Sequence, residues 1–92
     1  MHISEIIWKD VFVEKIVRKH DVQIHEAEEA LETSRFIRRV AKGKYKDEDV
    51  YAAYAQIQNG RYLIVFFIRK HGNRILPISA RDMDTSERKY YE

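Results

Sequence analysis

Apolar residues recur along this 92-residue chain with two different periods, and the change of period divides the sequence. After an apolar lead-in (Ile3, Ile6, Ile7, Trp8), Phe12, Val13, Ile16 and Val17 fall on one face of a helix from about Asp10 to His20. Glu14, Lys15, Arg18 and Lys19 take the other face. His20-Asp21-Val22 breaks the pattern, and Ile24, Ala27, Ala30 and Leu31 mark a second amphipathic helix to about Glu32. Two such helices with a short connection make a helical pair.

From Arg35 onward the period falls to two. Phe36 to Ala41 reads as a first strand, ended near Gly43. Val50 to Gln58 is a second, with Tyr51, Ala53, Ala55 and Ile57 on one face. Asn59-Gly60 then predicts a tight two-residue hairpin, because both residues tolerate positive φ. Arg61 to Arg69 is the third strand. Its middle, Leu63 to Ile68, is apolar on both faces, so it should be central and covered on both sides. His71-Gly72-Asn73 makes the next turn, and Arg74 to Arg81 is the fourth strand. Pro77 has no N–H for a ladder, so this strand should lie at an edge or bulge there. Strict alternation would put Arg81 on a face with Ser79, Pro77 and Ile75. Asp84 and Glu87 form a capping-box pair opening a last helix. The order α-α-β-β-β-β-α predicts one α+β domain over residues 1–92, with a four-stranded, mainly antiparallel sheet carrying its helices mainly on one face.

Composition narrows the class. With 45% hydrophobic and 12% aromatic residues the chain can build a modest core and is no disordered segment. There is no cysteine, so disulfides and thiolate metal sites play no part. His2, His25 and His71 have no partners at ligand spacing, and neither a metal nor another cofactor is expected. The N-terminus lacks a basic region followed by a long apolar run, and Tyr62 to Ile68 is too short to span a bilayer. A soluble cytoplasmic protein without a membrane partner is the expectation. The net charge is only +2, but it is unevenly spread. Glu26, Glu28, Glu29 and Glu32 crowd one helix, whereas Arg35, Arg38, Arg39, Lys42, Lys44 and Lys46 follow with no acid until Asp47. Such a block can track phosphates; it can equally be the solvated edge of a strand.

The last third carries the sharpest signature. Ile78-Ser79-Ala80-Arg81 ends a strand, and a short helix follows with Glu87-Arg88 at its opening and Tyr91 at its end. This run resembles the C-terminal signature of the BrnT family, the small ribonuclease toxins of bacterial type II toxin–antitoxin pairs. Further pieces resemble the same family in the same order: Ile6-Ile7-Trp8-Lys9, Lys19-His20-Asp21-Val22, Glu26-Ala27-Glu28, and Arg61-Tyr62-Leu63-Ile64-Val65-Phe66. The resemblance implies a RelE-like (microbial RNase-like) fold and metal-independent endonucleolytic cleavage of RNA. It also implies a BrnA-type ribbon-helix-helix antitoxin, with operator DNA reached only through that antitoxin. Two positions depart from the family pattern. Asp21 replaces a glycine, and Asp enters left-handed backbone more readily than most residues. Gln23 replaces a Ser or Thr at a helix N-cap, which loses a capping oxygen at a cost of about 1 kcal/mol.

Cleavage by a ribose 2′-hydroxyl needs a proton acceptor, a proton donor and cations around the phosphorane. Arginine suits the last task, since its planar fork meets two phosphate oxygens. Arg81 is the first candidate, with Arg61 and Arg74 behind it; His20 is the acid/base candidate, and Glu87 a base or an orienter of arginines. Arg38, Arg39, Lys19, Arg88 and Tyr91 are candidate RNA contacts. Each has a purely structural alternative. Arg81 can pair with Glu87 or Asp82, His20 can sit as a cation at a helix C-terminus, Trp8 can anchor the core, and the Tyr90-Tyr91 pair can serve packing or an antitoxin. A non-catalytic RNA- or protein-binding module on the same fold, or an adaptor, is the competing function.

Overall fold

The computed structural model describes residues 2–43 and 48–92, so Lys44, Lys46 and Asp47 of the charged block lie outside the described residues. The elements run β1 (Glu5–Ile6), α1 (Asp10–His20), α2 (Ile24–Thr33), β2 (Phe36–Ala41), β3 (Val50–Gln56), β4 (Tyr62–Lys70), β5 (Arg74–Asp82) and α3 (Thr85–Tyr91). The sheet has five strands in the order β1-β5-β4-β3-β2, and β1 lies parallel to β5 while every other pair is antiparallel. This corrects the expected four-stranded sheet. The apolar lead-in contains a two-residue strand, whose pairing (Glu5 with Arg74, Ile6 with Ile75) is too distant in sequence to leave a local pattern.

β4 is central, as its two apolar faces require. On one face α1 packs against β5, and α2 against β3 and β4. Ile16, Val22, Ala27, Ala30 and Leu31 there meet Ala53, Leu63, Val65, Phe67 and Ile75. On the other face α3 covers a smaller cluster built on Ala52, Tyr54, Ile64 and Met83, joined by Phe36, Tyr62, Phe66 and Tyr91. Two helices thus share one face and the third takes the opposite one.

Pro77 decides which face Arg81 occupies. Phe66 pairs with Ser79 but Phe67 pairs with Pro77, so Ile78 is an extra residue in the ladder. A bulge shifts the alternation by one. Ile75 and Pro77 therefore follow the α1–α2 face with Phe67, whereas Ser79 and Arg81 pair with Phe66 and Ile64 on the α3 face. The expectation that Arg81 shares a face with Ile75 and Pro77 is overturned, while the bulge predicted from Pro77 is present.

The turns follow local chemistry. The Asn59-Gly60 hairpin forms, but it is a three-residue turn rather than a two-residue one. The Ile57 N–H donates to the Arg61 carbonyl at 2.9 Å, the Gly60 N–H to the Ile57 carbonyl at 2.9 Å, and only Gly60 of the pair has positive φ (+94°). Asn59 stays out of the left-handed region because its side chain is occupied: its amide donates to Glu26 Oε2 at 3.1 Å and its oxygen accepts from the Arg61 N–H at 3.0 Å. Asp21 ends α1 in the left-handed conformation (φ 53°, ψ 40°), its N–H donating to the Val17 carbonyl and that of Val22 to Ile16. At the start of α2, Glu26 Oε1 accepts the Gln23 N–H at 3.0 Å, the N3 half of a capping box. Asp84 and Glu87 make both bonds of the α3 capping box, at 2.8 and 2.9 Å.

The left-handed Asp21 yields a direct expectation. Asp21→Gly removes the Cβ penalty and should raise unfolding stability by about 0.5–1 kcal/mol, less the extra freedom of the unfolded chain. A urea midpoint above that of the parent with an unchanged slope is the expected result.

Candidate active site

Two arginines close to the end of β5 behave in opposite ways. Arg61 precedes β4 and sits on the α1–α2 side. Its Nε and Nη2 donate to the two carboxylate oxygens of Asp82 at 2.7 and 3.1 Å. Its Nη1 donates to Glu26 Oε1 at 3.0 Å and to the Asp21 carbonyl at 2.8 Å, and Nη2 also reaches the His20 carbonyl at 3.4 Å. A guanidinium has five N–H donors. All five are engaged, and they tie the C-terminus of α1, the first turn of α2 and the end of β5 into one knot.

Arg81 lies on the opposite face and is held differently. Its Nη1 and Nη2 donate end-on to Glu87 Oε1 and Oε2 at 2.6 and 2.8 Å, and Nη1 also donates to the Asp82 carbonyl at 3.2 Å. That leaves Nε–H and the outer Nη2–H, side by side on the remaining edge, with no acceptor among the described residues. The guanidinium stands over the Phe66 ring at 5.4 Å with about a third of its side chain exposed. It is fixed, charged and half free.

Around Arg81 the α3 face gathers aromatic rings and further cations. Arg38 Nε donates to the Tyr54 hydroxyl at 3.1 Å, and its guanidinium lies 4.8 Å from the centre of the Tyr90 ring. Tyr90 lies tilted against Phe36 at 5.0 Å, and Phe36 stacks at 5.0 Å on Tyr54. Arg88 lies 3.9 Å above Tyr62, and the Tyr91 hydroxyl accepts the Gln56 N–H at 3.3 Å. Arg38, Arg81, Glu87, Arg88 and Tyr91 are thus brought onto one face. Tyr54, Phe36 and Phe66 were not singled out as site residues from the sequence, although Ala52, Tyr54 and Gln56 alternate on the face opposite Ala53, Ala55 and Ile57.

The other candidates are placed elsewhere. Arg39 faces the opposite way from Arg38, as neighbours on a strand must, and donates to Asp49 Oδ2 at 3.2 Å. The basic block is therefore no single track. Arg74 pairs with Lys70, and Arg81 with Ile64 six positions along β4, so the two lie roughly 20 Å apart. Arg74 Nε is turned to the His71 carbonyl at 3.2 Å. Lys19 is exposed on the last turn of α1 beside His20.

The charges of the site follow from these contacts. Hydrogen bonds from Arg81 hold the Glu87 carboxyl below the usual carboxylate range against an opposing burial effect. Arg61 does the same for Asp82. For Glu26, burial pushes upward, but bonds from the Gln23 N–H, Asn59 and Arg61 outweigh it and the net shift is down. His20 is also lowered, first by partial burial and then by Lys19, Lys15 and Arg81. At the end of α1, Arg61 bonds the carbonyls of His20 and Asp21, so these carbonyls already have a cationic partner.

A family model described as "Ribonuclease toxin, BrnT, of type II toxin-antitoxin system" matches residues 8–87. The chain belongs to the BrnT family. The match runs from Trp8 to Glu87 and so includes Arg38, Arg61 and Arg81. RNA is accordingly the substrate class of the family, and an antitoxin its partner class. No curated protein matches the chain. Among the described residues, no helix is long and apolar enough to cross a membrane.

The depressed carboxylates of Glu26, Asp82 and Glu87 set an acid limit on stability. Groups with lowered folded-state pKa contribute stability above their unfolded values, about 3.9 for Asp and 4.3 for Glu, and lose it as pH falls further. Arg61→Gln should cost about 2–3 kcal/mol at pH 7, the low side of the range because Asp82 is half exposed. It should also reduce the loss of stability between about pH 5 and pH 3. Urea titrations at both pH values check this; equal losses in parent and variant would contradict the knot.

Proposed function

We propose that this BrnT-family chain is a metal-independent endoribonuclease on a RelE-like fold, cleaving RNA on the α3 face and neutralised by a BrnA-type antitoxin. The observation that carries this reading is the open edge of Arg81. A guanidinium fixed end-on by Glu87 keeps a second, side-on pair of donors at the spacing of two phosphate oxygens. Arg38 supplies a second positive charge on the same face, so the protein itself offers cations where the phosphorane gains charge.

His20, at the end of α1 on the other side of the sheet from Arg81 but near enough to feel its charge, is the proton acceptor in this scheme, reached around the end of β5. The departing 5′-oxygen takes its proton from solvent. Its depressed pKa keeps it neutral near pH 7, ready to take the 2′-hydroxyl proton. Glu87, held ionised and committed to Arg81 and the α3 cap, orients the fork and is a weak base. Arg61 acts as a positioning residue: its donors are all used, and its grip on Asp82 sets the neighbouring Arg81. Arg74 stands outside the site. Tyr90, Tyr62 and Phe36 offer surfaces on which unstacked bases can lie, since single-stranded RNA is recognised largely by such stacking. Arg88 and Tyr91 border the path; Lys19, on α1, and Arg39, turned to the other face, add only long-range attraction. The cytoplasm is the compartment in which such a toxin meets RNA. Operator DNA is contacted only through the antitoxin.

A binding module with the same arginines would hold RNA without cutting it. Arg81→Ala should lower cleavage by about a hundredfold or more, as removal of one preorganised charge-stabilising donor does, with melting close to the parent. EDTA should leave the rate unchanged. The acid limb of kcat/KM should have its midpoint below about 6.5, and His20→Ala should abolish that limb. Wild-type cleavage by the Arg81 variant, measured on a fluorescent RNA, would remove Arg81 from the chemistry.

A further inference from the structure

Away from the arginine face, β1 and α2 enclose a groove of about 500 Å³ lined by Ile3, Ser4, Glu5, Ile6, Trp8, Glu28 and Glu32. The acidic residues of α2 divide into two sets. Glu26 and Glu29 are consumed internally, by Arg61 and Asn59 and by the Gln58 N–H at 2.6 Å. Glu28 and Glu32, one turn apart, face the groove instead. Neither they nor Glu5 has a cation within 4 Å among the described residues. The apolar part of the lining is equally unfinished, since Ile3, Ile6 and Trp8 pack on the core while remaining partly exposed. β1 is also the last strand of the sheet, paired only on its β5 side.

We infer that this groove is the docking site for an extended, Lys- or Arg-bearing segment of the antitoxin, with an aliphatic side chain seated against Trp8. The inference rests on the toxin–antitoxin reading above and adds the surface. Charge complementarity selects the occupant. A DNA-binding partner is itself basic, and the α3 face of this chain is basic too, so their attraction has to come from an acidic surface. Three uncompensated carboxylates around a partly exposed indole provide one, with a cation able to sit over the Trp8 ring. The unpaired edge of β1 offers main-chain groups to an added strand. Phosphate-bearing RNA is repelled from the same place. The partner therefore grips the toxin on the side away from Arg81, leaving its remaining length to reach the site.

The test uses the whole chain, isotope-labelled, with an eight-residue peptide of alternating Lys and Leu as the probe and a Glu-Leu peptide as control. The Lys-Leu peptide should shift the Trp8 indole N–H and the amides of Glu5, Glu28 and Glu32, and the Glu-Leu peptide should not. Glu28→Lys with Glu32→Lys should weaken binding about tenfold, as expected for reversing two exposed charges, with a folded spectrum and unchanged RNA cleavage. Equal binding of both peptides would overturn the proposal, since stickiness alone would explain it. So would shifts confined to the α3 face. Shifts of the groove residues on raising protein concentration without peptide would make a second copy the occupant and overturn it as well. Peptide binding without RNA cleavage by the parent would sink the nuclease reading and leave the groove standing; cleavage without binding would do the reverse.

Discussion

Five hydrogen bonds from one guanidinium hold this small domain in register. Arg61 joins the end of α1, the start of α2 and the end of β5 with donors that are all satisfied, and with its side chain largely covered. A 92-residue chain has little core to spare, so three segment ends fixed by one residue matter more here than in a larger protein. The knot also bears on the opposite face. Asp82 and Arg81 are consecutive on a strand and point to opposite sides. Clamping Asp82 from one side fixes the backbone from which Arg81 projects to the other.

On that second face the arrangement is built for partial satisfaction. Glu87 closes the capping box of α3 and receives the Arg81 fork with the same carboxylate, so the helix and the guanidinium position each other. Neutralising Arg81 completely would leave it structural, as Arg61 is. Leaving it bare would cost it orientation. One occupied edge and one open edge meet both needs, and the rings of Phe66, Tyr54 and Tyr90 keep the surroundings ordered without consuming its donors.

Much of this was legible in the sequence because it was written locally. Helical spacing gave α1 and α2, period-two alternation gave β2 to β5, the doubly apolar run marked β4 as central, and Asp84 with Glu87 marked the α3 cap. What escaped depended on distant partners. β1 has two residues and pairs sixty-nine positions away in sequence. Pro77 announced a bulge, but its effect on which face Arg81 takes appears only when Ile78 is left without a partner across the ladder. The Asn59-Gly60 turn lengthened because Glu26, thirty-three residues away, holds the Asn59 side chain. Residue type and resemblance do not separate Arg61 from Arg81; the acceptors around each guanidinium do.

Arginine Nε–H resonances report directly on this difference between Arg61 and Arg81. On titration with an RNA oligonucleotide made uncleavable by 2′-deoxy substitution, the Arg81 Nε–H signal should shift as its open edge meets phosphate. The Arg61 Nε–H signal, already bonded to Asp82, should stay in place. A shift of Arg61 with Arg81 unmoved would contradict the assignment of the site.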